Sequence, residues 1–220
     1  MNKVAIFDFD GTIVDTITDV ALSFNRALKE NGFPEHPIKA YDGFVGGNLE
    51  TVVSRMLPQN CISEENIDKV KTTYRSIYST SEKENTKPYP GVMDMLYTLK
   101  NQGWKLAINT NKGQVLVDQL NEKIFPVDMF DSVVGYLETR PSKPDAYGVN
   151  MICDECGEDV SQAIYVGDGM SDVNTAKNAQ IPCIFVTWGQ GSLEDGEYSD
   201  VVSVDTVSEL QDRLINWDFK

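Results

Sequence analysis

Short apolar runs that stop abruptly at a polar cluster recur along this chain, and they constrain its fold more than any other feature. Val4–Phe7 ends at Asp8-Phe9-Asp10-Gly11-Thr12, and Lys105–Ile108 ends at Asn109-Thr110-Asn111-Lys112. Ala163–Val166 ends at Gly167-Asp168, Cys183–Val186 ends at Thr187-Trp188-Gly189, and Ser132–Val134 is a weaker fifth run. Runs of this length, bounded by turn residues, read as strands buried on both faces. Amphipathic helices lie between them: Val92, Met95, Leu96 and Leu99 mark one face, and Leu116 and Leu120 another. Strands alternating with helices predict an α/β fold, a parallel sheet with helices on both faces. Open sheets of this kind bind ligands at the C-terminal ends of their strands, which is where the polar clusters sit.

One interval breaks the alternation. The first run ends near Asp10 and the next begins near Lys105, far beyond the length of a one-helix crossover. Within it, Ile17, Val20, Ala21, Phe24, Ala27 and Leu28 repeat at helical spacing, as do Ile67, Val70, Tyr74, Ile77 and Tyr78. A turn-rich loop, Asp42-Gly43-Phe44-Val45-Gly46-Gly47-Asn48, separates them. The expectation is an inserted all-helical unit over residues 16–87, closed by the proline-marked Lys87-Pro88-Tyr89-Pro90-Gly91. Residues 1–15 and 88–220 are left to the sheet.

Charge narrows the chemistry. The formal net charge is −15, which disfavours nucleic acid and anionic membranes as partners. With His36 the only histidine, any mechanism built on a His pair, a His-rich metal cage or a His-based triad must use His36 or fail. The four cysteines are too few for a disulfide scaffold; Cys153 and Cys156 read as small apolar residues one helical turn apart. The N-terminus meets an acid after four apolar residues, and no apolar run approaches a membrane span, so a cytoplasmic protein is expected. Carboxylates remain. Asp8 and Asp10 flank one position at a strand end, and Asp168 and Asp172 follow another strand. Two like charges about 4 Å apart repel by roughly 4 kcal/mol at an effective dielectric near 20, so the cluster calls for a cation. Oxygen ligands select a hard ion, Mg²⁺ first. Lys143 adds a positive charge, and Thr110 and Asn111 precede a helix expected near Gly113, whose N-terminus favours an anion. A carboxylate nucleophile beside a phosphate site suggests phosphoryl transfer.

Asp8-Phe9-Asp10-Gly11-Thr12-Ile13-Val14-Asp15-Thr16 resembles the first motif of the haloacid dehalogenase superfamily of phosphohydrolases. Thr110-Asn111-Lys112, Lys143-Pro144 and Gly167-Asp168 with Asp172 resemble the second, third and fourth, in order. Asp15–Pro34, Val45–Leu57, Pro88-Tyr89-Pro90-Gly91-Val92 and Val186-Thr187-Trp188-Gly189-Gln190-Gly191 resemble the phosphoglycolate phosphatase-like subgroup. The resemblance implies a Rossmann-like core with a helical cap and a Mg²⁺-dependent phosphatase of a small phosphomonoester, with 2-phosphoglycolate a candidate. It implies Asp8 as nucleophile and metal ligand, and Asp10 as acid and base with its carbonyl on the metal. Thr110, Asn111 and Lys143 would hold the phosphoryl group, Asp168 the metal, and Asp172 the metal or its waters. A pyrophosphatase, a nucleotide or sugar phosphatase and a phosphosugar mutase remain open, as do a phospho-acceptor signalling module and a degenerate phosphate-binding protein. The expected partner is a small phosphorylated metabolite, with the chain a monomer or homodimer.

The cap loop Gly46, Gly47, Asn48 is a candidate substrate contact, with Asn48 starting a helix over Leu49–Met56. Lys112 reads as exposed, and His36 as an inert surface residue in a loop. Ala146 and Gly169 depart from the family pattern without touching the catalytic atoms. Gln180 stands where the family usually has a helix-ending glycine, so it must take a strained left-handed conformation or the helix must end differently.

Overall fold

The computed structural model describes residues 2–193 and 201–219. The chain divides into two units, one of residues 15–86 and the other of the segments on either side. The strands are β1 (Val4–Phe7), β2 (Val14–Asp15), β3 (Lys87–Pro88), β4 (Lys105–Gly113), β5 (Ser132–Tyr136), β6 (Ala163–Gly167), β7 (Cys183–Val186) and β8 (Val202–Val204). Six form one sheet in the order β5-β4-β1-β6-β7-β8, with every pairing parallel. The short strands β2 and β3 pair where the chain leaves and rejoins this unit.

Register decides what stands at the sheet edge. Phe7 pairs with Ile108 on one side and Val166 on the other, so Asp8, the first residue past β1, stands level with Asn109 of β4 and Gly167 of β6. The Asp8 amide still donates to Val166 O at 2.9 Å, holding the first catalytic candidate against β6. β4 runs longer than its apolar stretch suggests. It continues to Gly113 with its register shifted between Asn109 and Gly113, so Thr110, Asn111 and Lys112 bulge out of the ladder.

Residues 15–86 contain α1 (Ile17–Glu30), α2 (Leu49–Met56) and α3 (Glu64–Thr80). The apolar spacing explains α1, whose Val20, Ala21, Phe24, Ala27 and Leu28 are buried. Phe24 stacks on Tyr74 of α3 with ring centroids 3.7 Å apart. Buried Asp19 accepts from Asn85 N, Asn85 Nδ2 and Thr86 Oγ1 at 2.7–3.0 Å, tying the end of this unit to its first helix. His36 is not an inert surface residue. It is half-buried, its Nε2 lies 2.8 Å from Met56 O, and Asn25 brackets its backbone on both sides.

The sheet is covered by α4 (Val92–Asn101), α5 (Gln114–Ile124), α6 (Tyr147–Cys156), α7 (Met170–Ala179) and α8 (Val207–Ile215). Ala5 and Phe7 of β1 share a core with Leu96 of α4, Val117 of α5 and Leu210 of α8. Val4 and Ile6 face the other way, onto Val149 and Ile152 of α6 and Ala176 of α7. β1 is thus the double-sided centre that its unbroken apolar run predicts. All four cysteines are free thiols, and burial pushes Cys153 up to about 11. No described helix is long and apolar enough to cross a membrane.

Candidate active site

The site is assembled at the C-terminal edge of β1, β4 and β6, inside the sheet unit. Asp8 follows β1. Its Oδ1 accepts from Phe9 N at 2.7 Å and faces Lys143 Nζ at 2.9 Å. Among the described residues no hydrogen bond reaches its Oδ2, so one carboxylate oxygen is pinned and the other is open. Lys143 comes from the loop between β5 and α6, and its side chain is only 2% exposed. The same ammonium lies 2.6 Å from Asp172 Oδ1. Asp172 stands in the first turn of α7, and its other oxygen accepts from Gly169 N at 3.0 Å.

Asp168 follows β6 and is held by the chain around it. Thr12 Oγ1 donates to its Oδ1 at 3.1 Å, and Gln190 N and Gly191 N donate to its Oδ2 at 2.9 and 3.3 Å. A β-carbon at Gly11, where φ is +79°, would lie 2.5 Å from Asp168 Oδ2, and one at Gly189 would lie 2.2 Å from it. Only glycine allows the backbone this close to the carboxylate.

One oxygen from each of Asp8, Asp168 and Asp172 lies within 4.8 Å of the others. Burial drives the titration of this cluster. It raises Asp8 to about 6 against the pull of Lys143, with Asp172 and Asp10 adding to the rise. It raises Asp168 to about 6, assisted by Asp8 and opposed by the three hydrogen bonds. Asp172 is raised by burial too, against Lys143. Burial works against the Lys143 ammonium, but Asp172 and Asp8 outweigh it and hold its pKa well above the ordinary value. Three carboxylates and one ammonium leave two negative charges in a buried space. That donor set, all oxygen, fits one hard divalent cation.

Asp10 lies outside this triad. Its two oxygens accept from Lys112 Nζ at 2.7 and 2.9 Å. Lys112 is therefore not the exposed lysine its sequence context suggests: its side chain is 7% exposed. The bulge in β4 turns it inward. α5 begins at Gln114 with Gly113 as its N-cap, where the sequence places the start of a helix. Thr110 is buried, with its Oγ1 accepting from Lys112 N at 3.2 Å. Asn111, grouped above with the phosphate ligands, has its side chain committed elsewhere. Its Oδ1 accepts from Lys143 N at 3.0 Å and its Nδ2 donates to Lys143 O at 3.2 Å.

Gly46, Gly47 and Asn48 belong to the helical unit. Asn48 caps α2 by accepting from Thr51 N at 2.9 Å, as its position before Leu49 suggests. Gly46 and Gly47 have φ of +109° and +90°, and Arg55 Nη1 donates to Gly46 O at 3.0 Å.

The family model described as haloacid dehalogenase-like hydrolase matches residues 5–186. The chain belongs to the haloacid dehalogenase-like hydrolases. As a member of that family it is an enzyme, a phosphatase. Among similar proteins, the phosphoglycolate phosphatase of Agrobacterium fabrum (strain C58) is 30% identical over 97% of this chain and 93% of its own length. That of Aliivibrio fischeri is 29% identical over 91% and 92%. A haloacid dehalogenase-like family hydrolase from Streptococcus pneumoniae superposes with a TM-score of 0.82 at 25% identity, covering 95% of this chain and 97% of that one. A crystal structure from Lactobacillus delbrueckii subsp. bulgaricus gives a TM-score of 0.90 at 26% identity, over 99% and 100%. Within this hydrolase, the main-chain donors of Gln190 and Gly191 are among the site groups that the motifs do not reveal, with Thr12 Oγ1 on Asp168 and Lys112 Nζ on Asp10. The sequence stretch Gly189-Gln190-Gly191 is visible, but an amide N–H carries no residue signature that would assign it to Asp168.

Proposed function

We propose that this hydrolase removes phosphate from a small phosphomonoester, 2-phosphoglycolate foremost, through an aspartyl-phosphate on Asp8. The observation that carries the reading is the half-pinned Asp8, with one oxygen on Phe9 N and the buried Lys143 ammonium and the other open, beside two further carboxylates. In the first step the open oxygen attacks phosphorus, and the ester oxygen leaves with a proton from Asp10. In the second, Asp10 takes a proton from water, the hydroxyl attacks the acyl phosphate, and inorganic phosphate departs with Asp8 restored. Lys143 and Thr110 face the phosphoryl oxygens, and Asn111 contributes through Lys143 or its own main-chain N–H. Asp8, Asp168 and Asp172, with the Asp10 carbonyl, would hold Mg²⁺, which when bound neutralises charge on the transferring group.

Residues 16–87 act as the cap, and the loop Gly46-Gly47-Asn48 at the N-terminus of α2 receives the far end of the substrate. A carboxylate there suits a helix N-terminus. The 2-phosphoglycolate assignment is supported by relatives named phosphoglycolate phosphatase. Four free thiols suit a reducing, cytoplasmic setting. The substrate reaches the enzyme as a free metabolite, and the enzyme works as a monomer or homodimer. The test is phosphate release from 2-phosphoglycolate, a hexose phosphate, a nucleoside monophosphate and pyrophosphate, with Mg²⁺ and with a chelator. Preference for 2-phosphoglycolate, lost with the chelator, is expected; faster release from any of the others reassigns the substrate.

A further inference from the structure

Lys143 is a buried ammonium carried by an irregular loop, and a lysine stem has four rotatable bonds. Something must hold the loop for Nζ to sit between Asp8 and Asp172 at 2.9 and 2.6 Å. Three side chains do so, one from the same loop and two from other elements. Arg140, earlier in the same loop, donates from Nη2 to Gly135 O at 2.6 Å and to Gln114 Oε1 of α5. Asn178 of α7 donates to Pro144 O at 2.8 Å. Asn111, on the bulge of β4, makes the closest approach, pairing its amide with both the N–H and the C=O of Lys143 itself. One planar amide satisfies both backbone groups of a single residue, so it sets that residue's position and rotation together.

We infer that Asn111 is a positioning residue, acting on the reaction through Lys143, and that its side chain is not a phosphate ligand. Its Oδ1 and one of the two Nδ2 hydrogens are committed to Lys143, which fixes the plane of the amide and leaves a single side-chain N–H outside the clasp. The β4 bulge is what makes the clasp reachable: a regular strand would keep residue 111 in the ladder with β5. Thr110, Asn111 and Lys112 therefore divide their work. Asn111 secures Lys143, Lys112 secures Asp10, and Thr110 is left for the phosphoryl group. Two catalytic candidates from distant stretches of sequence are thus set by one irregularity in one strand.

The inference rests on the proposed reading in which Lys143 meets the phosphoryl group. Its test is a double-mutant cycle on the affinity for inorganic phosphate with Mg²⁺ present, using Asn111→Ala and Lys143→Met singly and together. Asn111→Ala is expected to weaken phosphate binding about ten-fold in the wild-type background, roughly 1.4 kcal/mol. In the Lys143→Met background the same change should cost less than about two-fold, because there is no ammonium left to position. Lys143→Met leaves two buried carboxylates without their cation. If it does not fold, Lys143→Gln, whose amide still donates to a carboxylate, serves as the second background. An equal factor in both backgrounds overturns the inference, since it marks Asn111 as a ligand in its own right. So does an Asn111→Ala protein that binds phosphate like wild type. Wild-type protein that binds no phosphate overturns the functional reading, and this inference with it.

Discussion

A carboxylate can act as a nucleophile only if its surroundings hold it still without occupying both of its oxygens. Asp8 meets that condition, with Oδ1 on Phe9 N and Lys143 and Oδ2 open. Asp8→Asn keeps the shape and removes the attacking charge, and turnover is expected to fall by at least about 10³-fold in a protein that still folds. Single-turnover phosphate release read beside a thermal melt checks it; a variant that keeps near-wild-type rates removes the covalent route. Asp10 needs a different kind of control, because it must face first the leaving oxygen and then the water. Lys112 holds it by both oxygens, and Lys112→Met removes that hold while keeping the stem. Turnover on an alkyl phosphate is expected to drop about ten-fold, close to 1.4 kcal/mol in the barrier. An aryl phosphate, whose leaving group needs little proton assistance, should lose less. The same loss on both esters, measured as kcat, would show that Lys112 supports the site generally and not Asp10 in particular.

At the level of elements, what the sequence reveals depends on where the information resides. β1, β4, β6 and β7 announce themselves because they are buried on both faces, and that burial is written directly as apolar runs. β8 does not: Val202-Ser203-Val204 is three residues long with an exposed serine at its centre, too short to show a period. The β4 bulge is also invisible, since Thr110-Asn111-Lys112 looks like a plain polar turn, and Lys112 reads as exposed for that reason. The carboxylate positions of the site were legible from motif spacing, whereas the main-chain donors to Asp168 were not. Gln180 is a case where local chemistry was readable in advance. It ends α7 at φ 57° and ψ 38°, in the left-handed region, while Ile181 N closes the turn on Ala176 O at 3.0 Å. The helix keeps its normal ending, and the non-glycine residue bears roughly 1 kcal/mol of strain. Gln180→Gly is expected to stabilise the protein by somewhat under that amount and to raise the melting temperature by about 2 °C. A melting temperature that is unchanged or lower would mean that the Gln180 side chain compensates the strain.

Across the whole molecule, the net charge of −15 is carried into the site by the three clustered carboxylates, and this makes stability, pH and divalent cation a single coupled property. Asp8 and Asp168 have folded values near 6 against an ordinary 3.8, so folding favours their protonated forms. Without a cation, the stability they contribute is fully present below about pH 4 and is lost as pH rises through about 6. A shift of about two units corresponds to an order of 3 kcal/mol for one such group, and Asp172 moves in the same direction. A divalent cation binds the ionised carboxylates, so it reverses this loss only where they are ionised. Mg²⁺ is therefore expected to raise the melting temperature little at pH 5 and by several degrees above about pH 7, with the gain rising through pH 6. Comparing melts with and without Mg²⁺ at each pH cancels every titration that the ion does not touch. Asp168→Asn removes one of the titrating ligands and should flatten the Mg²⁺ gain across the same range. A gain of equal size at pH 5 and pH 7.5 in the wild-type protein would place the ion away from these carboxylates, and the charge balance of the buried cluster would then have to be met by protons alone.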